Sequence, residues 1–184
     1  MREIAFAPRD SIEDEGLLAS PLRSAVGITL EDLAIPHDGC PLCNGPVGDA
    51  AFRRVLVWED SLWRVTMSLS SEVPGFSYVE PKRHIPHLTE LDGDEARTLG
   101  VVLGRSARVL REATGTDLVY VYVFGGHIPH LHFHLAPHSP GDPLNAEILA
   151  RAAPLLPESE LRALADRVRT RFASADIGAT GPRP

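Results

Sequence analysis

The sequence predicts an α+β domain in which an antiparallel sheet carries a long helix. Short strand-like segments follow one another directly in residues 53–82, and apolar residues recur at helical spacing only after them. Strands that are grouped apart from helices favour this class over the alternating order of a parallel βαβ sheet. The 184 residues show no internal repeat of fixed period and suffice for one domain of ordinary size.

The first three predicted strands form a meander. RRVLVWED and LWRVTMSL are rich in β-branched and aromatic residues, and a turn at residues 59–61 separates them. GFSYVEPK is the third strand, opened by Pro74 and Gly75 and closed by Pro81. Because the connections are short, we expect antiparallel neighbours.

Two helices are predicted from apolar periodicity. The main helix runs from Thr89 to about Ala113, with acidic residues in its first turns and Gly115 where a helix C-terminus would stop. A C-terminal helical region follows Pro143. The apolar stripes are Leu99, Val102, Leu103 and Leu110 in the main helix and Leu161, Leu164, Val168 and Phe172 in the C-terminal one.

The last two predicted strands are DLVYVYVF and HLHFHLAP, separated by GGHIP. Successive side chains of a strand point to opposite faces, so the three alternating histidines of the second segment share one polar face. In a helix they would spread over about 200° of the wheel. The histidines of this polar face are His130, His132 and His134.

The rest of the chain sets the domain limits and excludes some classes of partner. We expect an extension at residues 1–36, a single domain at 37–175 and a flexible tail at 176–184. The net charge of -7 argues against a basic surface for a nucleic acid polymer. No long uncharged apolar run is present, and MREIAFAPRDSIEDEGLL lacks the pattern of a secretion signal. We therefore expect a cytoplasmic protein with no membrane partner.

Cys40 and Cys43, the only cysteines, lie in the sequence CPLC. Two cysteines are too few for a disulfide scaffold, and their spacing suits half of a zinc site, a redox pair or two inert buried thiols. No thioredoxin-like βαβ pattern surrounds them, which favours zinc. Two histidines must then complete a tetrahedral site.

Three segments, taken in order, resemble the histidine triad (HIT) superfamily. HLHFHLA matches its His-x-His-x-His-x-x signature, and VEPKRHIPHLTEL resembles its Pro-Lys-x-His segment between a strand and the long helix. CPLC is similar to the Cys-x-x-Cys that opens many zinc-bearing bacterial members. The resemblance covers roughly residues 40–140. It implies a five-stranded antiparallel sheet with a long helix packed on it, and often a homodimer.

The polar histidine face suits phosphoryl chemistry. A neutral imidazole is a good nucleophile near pH 7, and the phosphoramidate that it forms with phosphorus remains reactive. The resemblance implies that His132 is the nucleophile that carries a nucleoside monophosphate and that His134 contacts the phosphate or the leaving group. We add Gly125, Gly126, His127 and His138 as candidate substrate contacts, because backbone N–H groups beside glycines and imidazoles can donate to phosphate.

The resemblance also implies a ligand set for structural zinc. The ligands would be Cys40, Cys43, His84 and His130. His37 and His87 are the alternatives to His84. Such an ion would tie the cysteine segment to the third strand and to the histidine strand, holding His132 in place without touching the substrate.

The sequence departs from the nucleotide hydrolases of this superfamily at two places. VFGGHIPH has neither the Asn nor the Gln that usually holds ribose and α-phosphate, and Phe76 stands where many relatives have a histidine. We expect a hydrolase of a nucleoside phosphoramidate, a dinucleoside polyphosphate or a similar small nucleotide. The alternatives are a nucleotidyltransferase or phosphorylase and a non-catalytic nucleotide-binding protein. The nucleotidyltransferase branch of the superfamily has an active His-Pro-His, whereas Pro129 here precedes the triad and does not interrupt it, which favours hydrolysis over transfer.

Overall fold

The protein is built on one antiparallel sheet. The computed structural model describes residues 39–123, 128–140 and 156–177. The five strands of these residues are β1 (Arg54–Glu59), β2 (Trp63–Ser68), β3 (Ser77–Pro81), β4 (Leu118–Val123) and β5 (Phe133–His138). They lie in the order β1-β2-β3-β5-β4, and every pair is antiparallel. The predicted α+β class and five-stranded sheet are confirmed.

The β1–β2–β3 meander depends on two tight connections. In the first, the Asp60 carboxylate accepts hydrogen bonds from the backbone N–H groups of Leu62 and Trp63, at 2.8 and 2.7 Å. In the second, Gly75 has a φ of +84°, and a Cβ built on it would lie 2.7 Å from Cγ2 of Thr114. The turn that was predicted at Pro74 and Gly75 thus requires glycine for conformation and for space.

Within the described ranges the helices are α1 (Pro46–Ala51), α2 (Gly93–Thr114) and α3 (Glu158–Ile177), with 3-10 turns at Pro41–Asn44 and Leu88–Glu90. The predicted start of the main helix at Thr89 is wrong. Leu91 and Asp92 are extended and Gly93 has a φ of +62°, so the backbone breaks between the 3-10 turn and α2. Its end is as predicted, because Gly115 adopts a left-handed φ of 72°.

The hydrophobic core lies between one face of the sheet and the helices α2 and α3. Trp63 is fully buried at its centre, and its indole N–H donates to Thr98 Oγ1 on α2 at 2.8 Å. The predicted stripe of α3 is buried throughout, and in α2 Val102 and Leu110 are buried whereas Leu99 and Leu103 are partly so. The opposite face of the sheet therefore remains for polar side chains.

The predicted limits of the domain can be compared with the structure only in part. The proposed extension at 1–36 lies outside the described residues, as does most of the proposed tail. Helix α3 continues to Ile177, two residues into the segment predicted as a tail. Across the part of the chain that the structure describes, no helix combines the length and the apolar character needed to cross a bilayer.

Candidate active site and metal centre

The histidine segment joins the sheet later than the sequence predicts. Strand β5 begins at Phe133, so His130 and His132 precede it. The backbone N–H of Leu131 donates to the Ile85 carbonyl at 2.6 Å instead of entering the sheet ladder. Alternation nevertheless persists, because Leu131 and Phe133 are buried in the core while the histidines point away from it.

A group of two cysteines and two histidines meets at the end of β3. Their ligand atoms all lie within 4.8 Å of one another. Nδ1 of His130 lies 3.4 Å from the sulfur of Cys40 and 3.4 Å from that of Cys43, and Nδ1 of His84 lies 3.3 Å from Cys43. In tetrahedral zinc sites, bond lengths of about 2.3 Å to sulfur and 2.0–2.1 Å to nitrogen put neighbouring S and N ligands about 3.6 Å apart. The geometry thus fits a Cys₂His₂ zinc site.

The environment of His130 prepares it as a ligand. Its Nε2 donates to the Pro81 carbonyl at 2.9 Å, so Nδ1 keeps a lone pair toward the two sulfurs. The residue is 1 % exposed, and this burial lowers the pKa of the imidazole and favours its neutral form. The two cysteines are not disulfide-bonded.

The structure also shows which of the candidate metal ligands lie together. It brings together the four residues that the resemblance implied, and His87, one of the alternatives to His84, is exposed and not part of the group. His37 lies outside the described residues.

His132 has the hydrogen bond that a nucleophilic imidazole needs. Its Nδ1 lies 2.6 Å from the His130 carbonyl oxygen, which can only accept, so Nδ1 carries the proton. In the neutral imidazole, Nε2 therefore holds the lone pair. The residue is 8 % exposed, and its ring lies 5.0 Å, centroid to centroid, from that of His134.

His134 lies in an aromatic row across the polar face. It pairs with Tyr78 on β3 and with Tyr122 on β4. The ring centroids of Tyr78, Tyr122 and Phe76 lie 5.3, 5.4 and 5.9 Å from that of His134. Burial, followed by the charges of His132 and Arg54, lowers the pKa of His134 to about 4, so this imidazole is neutral at pH 7. We call His134 with Phe76, Tyr78 and Tyr122 the aromatic enclosure.

A buried charge cluster, which the sequence analysis missed, lies beside these histidines. Arg54 donates to Glu80 and, at 3.1 Å, to Asp49, while Arg64 also donates to Asp49. Glu80 is 0 % exposed and precedes Pro81, whose carbonyl accepts from His130. The cluster joins α1 to β1, β2 and β3 on the polar face. Charged residues within otherwise apolar predicted strands are the signal that could have revealed it.

Of the remaining predicted contacts, the structure describes only His138, which is not gathered at His132. His138 lies at the far end of β5, paired with Leu118, and its ring packs on Tyr120 at 5.1 Å. It lies four residue steps along the strand from His134, about 13 Å. The other three, Gly125, Gly126 and His127, lie outside the described residues.

Comparison with known proteins identifies the fold family. The model of the HIT domain matches residues 51–141, a range that includes all five strands and the three histidines. No curated protein is significantly similar to the chain.

Solved structures of the same fold come from distant organisms. A zinc-bound histidine triad family protein from Mycobacterium smegmatis is 23 % identical, with a TM-score of 0.60 over 76 % of this chain and 96 % of that one. A hypothetical histidine triad nucleotide-binding protein from Sulfolobus tokodaii is 21 % identical, with a TM-score of 0.61 over 78 % and 100 %. The Plasmodium falciparum diadenosine triphosphate hydrolase, in complex with cyclomarin A, is 12 % identical, with a TM-score of 0.52 over 65 % and 76 %.

Proposed function

The chain belongs to the HIT domain family, and on this premise we propose that it is a nucleotidyl hydrolase that works through a covalent nucleotidyl-His132 intermediate. The observation that carries the proposal is the 2.6 Å contact between Nδ1 of His132 and the His130 carbonyl. It fixes the tautomer in which Nε2 is unprotonated. The proposed substrate class is a small nucleotide, and the relative from Plasmodium falciparum, a diadenosine triphosphate hydrolase, supports this choice.

In the first step, Nε2 of His132 attacks the α-phosphorus of the substrate. The N–P bond forms as the bond between phosphorus and the leaving group breaks, and the electron pair departs with the leaving group. The imidazole then carries positive charge, which the Nδ1–H···O=C bond to His130 and the substrate phosphate both stabilise.

In the second step, water attacks the same phosphorus from the side that the leaving group vacated. The N–P bond breaks and Nε2 recovers its lone pair. A nucleoside monophosphate leaves with the oxygen and one proton of the water, and the other proton passes to the solvent. His134, with its ring 5.0 Å from that of His132, contacts the phosphate or the leaving group.

We also propose that Cys40, Cys43, His84 and His130 hold one zinc ion. When bound, zinc would cross-link the segments that carry these ligands and would take no part in bond breaking. The zinc-bound relative from Mycobacterium smegmatis supports this assignment, as does the fit of the donor atoms.

The covalent intermediate is the direct test. The protein is mixed with a diadenosine polyphosphate, quenched within one turnover and digested, and the peptides are analysed by mass spectrometry under conditions that preserve P–N bonds. We expect an adenylyl group on His132 and none in a His132→Asn control. Reversible nucleotide binding without any adenylyl-histidine would instead identify a non-catalytic binding protein. Adding inorganic phosphate separates hydrolysis from transfer, because a phosphorylase would then turn the adenylyl group of His132 into ADP in place of AMP.

We further propose that the chain is a homodimer that pairs through β4. This strand is one of the two edges of the described sheet, so one side of its backbone has no neighbouring strand there, and it also exposes large apolar side chains. These residues are Leu118, Tyr120, Val121 and Val123. Light scattering should give twice the chain mass for the wild type and a lower mass for Val121→Lys.

A further inference from the structure

The aromatic enclosure sets the protonation state of His134, which in the proposed function contacts the phosphate or the leaving group. Tyr78 and Tyr122 flank His134 from the neighbouring strands, and Phe76, which is 3 % exposed, closes a third side. Such surroundings provide little solvation for an imidazolium ion. The relatives that carry histidine at the position of Phe76 would have a polar group here instead.

The charges that face His134 act in the same direction. Among the described residues these are His132, 5.0 Å away between ring centroids, and Arg54, whose guanidinium lies 5.1 Å from the ring centroid of Tyr78. Both disfavour a positive charge on His134 and so lower its pKa, whereas a hydrogen bond to the Tyr122 backbone raises that pKa. With a pKa of about 4, only about one His134 in a thousand carries the extra proton at pH 7.

A neutral His134 restricts which bond can break. Attack by His132 on a phosphoanhydride expels the bridging oxygen as a phosphate anion, which needs no proton. Attack on a phosphoramidate must expel nitrogen, and the amine leaves only if an acid gives it a proton as the P–N bond breaks. A neutral imidazole is a poor acid for that transfer.

Resting on the function proposed above, we infer that the aromatic enclosure makes this site selective for nucleotidyl anhydrides, such as nucleoside and dinucleoside polyphosphates, over nucleoside phosphoramidates. Phe76, Tyr78 and Tyr122 then determine specificity through His134, without themselves taking part in bond breaking. If these residues served only for packing, their replacement would change stability but not the ratio of the rates with the two kinds of substrate.

The test compares two substrates that share an adenosine 5′-phosphoryl group, a diadenosine polyphosphate and an adenosine 5′-phosphoramidate of an alkylamine. Single-turnover formation of adenylyl-His132 is measured at pH 7. We expect the anhydride to react at least about 100-fold faster, since a positioned general acid typically contributes 10² to 10⁴-fold. Equal labelling by both substrates would overturn the inference and leave the proposed function intact, whereas labelling by neither would overturn both.

Two variants test whether the aromatic enclosure causes the difference in rate between the anhydride and the phosphoramidate. Tyr122→Ser removes one ring and admits water to His134, so the anhydride-to-phosphoramidate ratio should fall about tenfold. Tyr122→Phe keeps the ring and should retain the wild-type ratio. An unchanged ratio in folded Tyr122→Ser would contradict the inference. If that variant does not fold, the wild-type ratio alone decides.

Discussion

His130 and His134 lie four residues apart in one motif, yet their surroundings differ in kind. At His130 the ring nitrogens face two cysteine sulfurs and the Pro81 carbonyl, which suits a metal ligand. At His134 the ring is surrounded by aromatic side chains, which suits a neutral group beside a substrate. The pattern of the motif places the histidines on one face, but neighbouring elements decide the chemistry of each.

The residue between them connects the two regions. His132 receives its tautomer from the carbonyl of His130 and stands beside the ring of His134. The metal corner should therefore position the nucleophile, while the aromatic enclosure should control the leaving group. The following changes test these assignments on the polar face.

The largest effect should come from removing the nucleophile. His132→Ala should lower kcat by at least about 10³-fold, because no other group can form the covalent bond. Zinc content and melting temperature should stay near the wild type, since His132 is not among the four clustered ligands. His87→Ala, at an exposed histidine, is the matched control and should keep full activity. Substantial turnover by His132→Ala would remove His132 from its role.

The buried charge cluster should dominate stability on the polar face. Glu80→Gln leaves Arg54 and Arg64 without one of their two carboxylates in a buried site, which should lower the free energy of unfolding by about 3–5 kcal/mol. Glu59→Gln breaks an exposed ion pair with Lys82 and should cost less than about 1 kcal/mol. Urea unfolding measures both, and equal losses would show that the cluster contributes no more than a surface pair.

A smaller effect should appear as a pH dependence of stability. The pKa of His134 is about 4 when folded and about 6.5 when unfolded, so below pH 6.5 the unfolded state binds more protons. The contribution of the neutral His134 to the free energy of unfolding is complete above pH 6.5, and about 1–3 kcal/mol of it is lost as the pH falls toward 4. His134→Gln should lose less stability over this range than His87→Gln. Parallel curves for the two variants would contradict a buried neutral His134.

The sequence predicts the elements better than it predicts where they begin. The meander, the end of α2 and the stripe of α3 follow from periodicity and from Gly75 and Gly115, which act locally. The starts of α2 and β5 do not, because they depend on a break at Gly93 and on the contact between Leu131 and Ile85, 46 residues apart.

The same distinction applies to the candidate site. The four clustered Cys and His residues were reached through the resemblance, which encodes long-range proximity that spacing alone does not. The charge cluster and the aromatic enclosure were missed because their members come from separate segments of the chain. Only the register, for example Tyr78 opposite His134 and Arg64 opposite Glu80, brings them together.

The central claim is that the metal corner stabilises while the histidine face reacts, and a Cys40→Ser variant tests it most directly. Its zinc content, melting temperature and activity at low temperature are measured against the wild type, with activity normalised to the folded fraction. We expect about one zinc per wild-type chain, loss of zinc and a lower melting temperature in the variant, and measurable remaining activity. Loss of chemistry together with zinc but without loss of stability would contradict the claim and make the ion catalytic.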